Sequence, residues 1–415
     1  MSTAAPRSAL QPTLVILLGF VALALAFSAR AAVGLMMPIW EGELGWSRTF
    51  ISGGVAVALI VMAILAPLAG RFVDRQGSRN SLVIGLLALA AGCALIPVND
   101  SKLWFVIAFC GLSAFGFGLV ATHVVSTAVE QQLSRNQGLG IGIATSGSTA
   151  GQFAIVPMIA VMLTVFDWRW SYLALAVACA GLAAAVYRLL PRRIEPKERT
   201  AEAGRSSAGL GTDLLLILKN PTFHLLFWSY FICGYTTSGV IETHFLPYAS
   251  LCGFGPVPSA TAYGLLSAIN LVGMILAGWL TDRMNRPLLL AAIYVIRGLT
   301  FIVLVNVGAD YGTLLLFSVV FGLVDYSTVP VTASLVASHI GLRVMGLAFG
   351  LISAGHQVGG ALGAYLGGYL FDLYAQYAWI WWSSFGLAVL AGLMVLAIRD
   401  RKPADSLAAG GGYAP

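Results

Sequence analysis

Apolar runs of about 20 residues, the length a helix needs to cross the hydrocarbon of a bilayer, recur from Leu14 nearly to Ile398. In lipid every backbone polar group has to be satisfied inside the protein, so runs of this kind fold as helices. Composition agrees: of 415 residues 59% are hydrophobic and 10% charged, where a soluble domain carries roughly 25% charged residues. Forty-seven glycines, many inside the apolar runs, point to close helix–helix approach. Residues 14–32 resemble a signal peptide, with small residues near Ser28, but the many spans that follow make this an uncleaved first helix. Five cysteines stand in no metal-ligand spacing, and neither a metal nor a cofactor is expected.

Reading between Pro, Gly and charge clusters gives twelve spans: 14–37, 50–70, 80–97, 103–127, 138–163, 170–190, 222–249, 259–280, 287–306, 311–336, 344–371 and 376–398. The connections are short except 191–221, which is charged and polar. That segment separates an N-terminal six-helix bundle (1–190) from a C-terminal one (222–398), with a tail at 399–415. An even number of spans puts both termini on one side. Arg71, Arg75, Arg79, Arg135, Arg192, Arg193, Lys197 and Arg199 fall on that side, with further Arg and Lys, against Arg48, Lys102 and Arg169 opposite. The positive-inside rule then makes the termini and central loop cytoplasmic in a cell (inner) membrane. The net charge of +6 is orientation, and no nucleic-acid partner is implied.

The halves repeat. GRFVDRQGSR (70–79) returns 208 residues later as GWLTDRMNRP (278–287), matching Gly70, Asp74 and Arg75 with Gly278, Asp282 and Arg283. At the same offset GLGIGIATSGS (138–148) aligns with GLAFGLISAGH (346–356), glycine on glycine at three positions. The expected fold is an all-α membrane protein: twelve transmembrane helices in two pseudo-symmetric, parallel six-helix bundles, with a binding site between them near the midplane.

The duplicated G-x-x-x-D-R loop resembles the signature of the major facilitator superfamily, and the resemblance covers essentially the whole chain. It implies the major facilitator fold, with Asp74, Arg75, Asp282 and Arg283 as gating loops. GWSRTFIS (45–52), ETHFLPYA (242–249) and GHQVGGALGAYLGGYLFD (355–372) resemble the monocarboxylate transporter and oxalate–formate exchanger branch. SGSTAGQFAIVP (146–157) lacks the G-P-x-x-G-G pattern of drug–proton antiporters. The branch typically carries an arginine in helix 8 and an aspartate one turn earlier. This chain has Met274 and Asn270 there.

Polar residues inside the spans supply the candidate site, because charges are costly in hydrocarbon and mark pathways or partners. Arg297 and Asp325 lie halfway along adjacent antiparallel helices, so they are expected to pair; Asp325 then either titrates during transport or rests in a static pair. Arg30 either grips a carboxylate through two parallel hydrogen bonds or snorkels to the outer interface. Glu242 can face Arg30 or carry a proton. His244 either titrates near neutral pH or sits in the outer vestibule. Tyr235, Ser148, Gln152 and His356 complete the candidate substrate site, with Arg30 at its centre. His123 reads as a satisfied buried imidazole. The expected function is secondary active transport of a small, monocarboxylate-like organic anion, coupled to protons, by alternating access. An oxalate/formate-type anion exchanger and a drug or metabolite–proton antiporter stay open. The expected partners are the anion, protons and the lipid bilayer, with the protein as a monomer. No phosphate loop, metal cluster or nucleophile elbow suggests an enzyme.

Overall fold

Twelve helical rods cross the molecule in the computed structural model, which describes residues 10–76, 78–132, 137–190, 210–281, 283–340 and 344–400. They are α1 (Leu10–Leu44), α2 (Arg48–Gln76), α3 (Ser78–Leu95), α4 (Lys102–Phe105 to Thr122–Gln132), α5 (Gln137–Thr145 and Gly147–Met162) and α6 (Trp168–Leu189). The second half repeats them as α7 (Pro221–Gly234 to Glu242–Leu251), α8 (Pro256–Thr281), α9 (Arg286–Val305), α10 (Tyr311–Val324 and Thr328–His339), α11 (Met345–Tyr374) and α12 (Ala378–Leu396). A short helix, Leu210–Leu218, ends the segment between the halves. No strand occurs among the described residues.

The rods run alternately up and down, so one face carries the starts of α1 and α7 and the ends of α6 and α12. We call it the linker face and its opposite the far face. The side chains of Asp74 and Arg75, Asp282 itself, most of the linker and the 401–415 tail lie outside the described residues. Arg283 is described: it lies over the Trp279 ring at 4.2 Å and donates to the Trp279 carbonyl at 3.1 Å.

Small residues set the packing in both halves. A Cβ added at Gly147 or Gly151 of α5 would strike the α1 backbone at Phe20 or Ala24. Their counterparts at the 208-residue offset, Gly355 and Gly359 of α11, meet α7 in the same way, at the Phe227 ring and the Phe231 carbonyl. Lipid offers apolar helices little hydrophobic incentive to associate, so such close approach is a main source of cohesion.

Between the bundles, α2 packs on α11, α5 on α8 and α1 on α7. The touching residues lie in the far-face halves. Gly53 faces Tyr365, Leu59 faces Gly360, Phe153 and Pro157 face Gly264, and Gly34 faces Leu246. The linker-face segments of α4, α5 and α10 pack within their own bundles. Among the described residues the bundles therefore meet toward the far face and part toward the linker face.

Candidate functional site

Two irregular helices build the polar centre. In α7 the hydrogen-bond ladder widens to π geometry over Tyr235–Ile241, a stretch that includes Thr236, Thr237 and Ser238, all buried. Such widened turns recur at functional positions. In α10 the helix stops at Val324 and resumes at Thr328. Pro330 has no N–H to give, and its ring crowds the carbonyl four residues back, which breaks the ladder just here.

Carbonyls freed inside a membrane need donors. Arg297 of α9 provides them. Its Nη2 donates to the Val324 carbonyl at 3.0 Å and to the Asp325 carbonyl, and its Nη1 reaches Cys233 Sγ at 2.8 Å and Thr236 Oγ1 at 3.4 Å. The guanidinium is fully buried, and its nearest approach to the Asp325 carboxylate is 3.9 Å. The pairing expected from depth is present, but the main chain of the broken helix is the closer partner.

Asp325 is held by two neutral donors as well. Thr237 Oγ1 donates to it at 2.8 Å and Asn270 Nδ2 at 3.5 Å. Asn270 Oδ1 accepts the Tyr326 N–H at 3.1 Å, so this one amide ties α8 to two consecutive residues of the α10 break.

Arg30 of α1 forms an ion pair with Glu242 of α7, one residue from each bundle. Both side chains are under 10% exposed, so Arg30 points into the protein rather than to the interface. Tyr326 donates its hydroxyl to Glu242 Oε1 at 2.7 Å, and the Arg30 guanidinium lies 4.8 Å from the Phe27 ring centre. A cavity lined by Arg30, Val55, Ser238, Glu242 and Thr243 opens beside the pair, with room for little more than a water molecule. Nearer the far face, a second crevice of about 170 Å³ is lined mainly by apolar groups, among them Leu35, Pro38, Ile39 and Leu246.

The other expected residues that are described each have a partner of their own. Tyr235 bonds Ser383 of α12 at 3.1 Å, Ser148 donates to the Thr145 carbonyl of its own turn, and His356 packs tilted against Tyr230 with ring centres 4.9 Å apart. Gln152 meets Ser267 across the α5–α8 contact at 3.5 Å. His244 is fully buried between α7 and α11, its Nε2 2.8 Å from the Ala364 carbonyl and its Nδ1 3.4 Å from the Tyr377 hydroxyl. The His123 side chain lies outside the described residues. Sequence reasoning passed over Tyr326 as a partner of Glu242 and saw Asn270 only as a missing charge. The polar run DYST followed shortly by proline was the available signal for both.

The sequence profile described as Major Facilitator Superfamily matches residues 19–348. The "Uncharacterized MFS-type transporter YcxA" of Bacillus subtilis (strain 168) is 25% identical over 335 residues, spanning 79% of this chain and 80% of that protein. "Monocarboxylate transporter 13" of Rattus norvegicus is 25% identical over 394 residues, covering 92% and 86%. Among solved structures, a D-xylose–proton symporter superposes with a TM-score of 0.77 at 16% identity, over 95% of this chain and 98% of that one. A bacterial homologue of the human lysosomal transporter Spinster, inward-facing and unoccupied, gives 0.69 at 16% identity, over 95% and 100%. At these identities the two structures speak for the fold alone.

Proposed function

The chain belongs to the major facilitator superfamily, as a multi-pass membrane transporter and not an enzyme, and from that premise we propose that it carries a small organic anion together with a proton. The observation that carries this reading is the Arg30–Glu242 ion pair joining the two bundles beside a narrow cavity. A guanidinium stays charged at any working pH and presents donors that match a carboxylate. A substrate carboxylate reaching Arg30 displaces Glu242 from it. Glu242 is then a buried charge without its counter-charge, an expensive state that a proton removes. Anion and proton thus enter as a neutral pair, and the cost of carrying them between the two faces falls.

The relatives named monocarboxylate transporters favour a monocarboxylate over a larger anion. Tyr326 orients Glu242 in this scheme, and Asp325 is a second proton candidate. Ser148, Gln152, Tyr235 and His356 are reserved for contacts made once the bundles have moved. The linker face is the cytoplasmic one, the membrane is the cell membrane, and the working unit is a monomer.

Reconstituted vesicles loaded with a panel of mono-, di- and aromatic carboxylates test the proposal. Uptake of one class rises with an inward proton gradient, and Arg30→Met with Glu242→Leu, which strands neither charge, removes that uptake. Counterflow driven by cationic dyes but by no carboxylate would replace the anion reading with an exporter.

A further inference from the structure

We propose that Asp372 and Arg48 form a clamp that holds the far face shut, Asp372 serving, within reach of water, as the N-terminal cap of a helix in the opposite bundle. The inference rests on the alternating-access part of the reading above and not on the identity of the substrate.

The first amides of any helix lack partners within it. In α2 they are all met. The Arg48 N–H lies 3.3 Å from Asp372 Oδ1, the Thr49 N–H 2.9 Å from Asp372 Oδ2, and the Phe50 N–H 3.2 Å from Ser47 Oγ. The Thr49 hydroxyl adds a bond of 2.5 Å to Asp372 Oδ2. Asp372 stands at the end of α11, so a carboxylate of the C-terminal bundle meets the positive end of an N-terminal helix. The Arg48 side chain completes the link. It bonds Glu41 of α1 at 2.9 Å and the Tyr377 hydroxyl at 2.9 Å, and its guanidinium lies 3.8 Å from the Phe371 ring centre. Close backbone contact seals the layer below, where Gly368 of α11 abuts Arg48 and Ser52 of α2.

Two properties suit this cluster to a gate. Asp372 and Thr49 are within reach of water, so the α2 amides exchange one acceptor for another when the bundles part. The partners also belong to different bundles, so opening the far face separates them while each bundle stays intact. A cap inside one bundle would have no such consequence.

The test reads opening directly. Ser259, on α8, is 2% exposed and lines the apolar crevice toward the far face. In a Ser259→Cys protein, labelling by a bulky maleimide is followed residue by residue with mass spectrometry. Buried Cys93 and Cys179, within the N-terminal bundle, report unfolding in the same sample. Asp372→Asn keeps the shape and removes the charge facing the positive end of α2, and labelling at position 259 is expected to rise about two- to fivefold, the population change that loss of one charge at a helix N-terminus brings. Cys93 and Cys179 stay unlabelled. Unchanged labelling at 259, or faster labelling at all three sites, overturns the clamp. Should Asp372→Asn not fold, Thr49→Cys with Asp372→Cys gives the second reading. Oxidation then slows labelling at 259 and reductant restores it, whereas equal rates before and after reduction sink the proposal. Neither result bears on which ligand binds Arg30, so failure here and failure of the anion reading remain distinct.

Discussion

The Tyr326 hydroxyl lies 2.7 Å from Glu242 Oε1, giving the carboxylate that pairs with Arg30 of the opposite bundle a second donor, from the α10 break of its own bundle. A hydrogen bond to a charged group contributes about 1.5–3 kcal/mol. Tyr326→Phe is expected to lower thermal stability by that order in detergent, without loss of expression. No change in unfolding temperature would mean that Glu242 does not rely on the hydroxyl.

Arg30 and Glu242 are expected to be strongly coupled. Removing one member of a buried pair strands the other and costs about 3–5 kcal/mol, while replacing both by apolar groups of similar size is often neutral. Glu242→Leu alone should therefore destabilise severely, and Arg30→Met with Glu242→Leu should recover most of the loss. Additive penalties in a double-mutant cycle would show that the two charges are solvated separately. Ligand-induced stabilisation by carboxylates should vanish in every variant lacking Arg30.

Arg297 and Asp325 should behave unequally. Arg297→Met leaves the Val324 and Asp325 carbonyls without their donor, at about 1–3 kcal/mol for each buried group. Asp325→Asn keeps an oxygen for Thr237 and leaves the Arg297–carbonyl bonds in place. The arginine variant is thus expected to unfold at a clearly lower temperature than the asparagine one. Equal losses would make the 3.9 Å ion pair, rather than the main-chain cap, the important contact.

The repeated glycines make a symmetric prediction. Gly151→Ala drives a methyl group into the Ala24 backbone, and Gly359→Ala does the same at Phe231. Each should cost about 1–3 kcal/mol, the usual effect of overpacking. Gly350→Ala, which meets open space, should be near neutral under the same denaturation assay.

Much of the fold was legible because its causes are local. Span length and the 208-residue repeat do not depend on packing, and they led to twelve rods in two halves. Helix ends were less legible. The first span was expected at 14–37, but α1 runs Leu10–Leu44, since a helix can continue beyond the apolar stretch into the polar Trp-Glu-Gly-Glu segment. The tenth was expected as one helix, 311–336, and is two. Hydropathy registers side chains, and a missing backbone hydrogen bond leaves no trace in it beyond Pro330.

The site divides similarly. Glu242 facing Arg30 followed, as one of two open readings, from the 208-residue offset and from charge. The sealing of His244 against Ala364 did not, because it depends on how closely α11 approaches α7, and that distance is set by glycines more than 100 residues away in the chain. Tyr326 was hidden for a related reason. Its direction is decided by the interruption beside it and not by helical periodicity.

The widened turn at Tyr235–Ile241 makes angular bookkeeping along α7 depend on residue count. One extra residue is already absorbed in the widening; a second would swing everything downstream by about 100° around the helix axis. Inserting one residue after Gly239 would leave composition and hydropathy almost untouched, yet it would rotate Glu242 away from the partner across the groove. A single-codon gain could then silence this protein while every span still inserted.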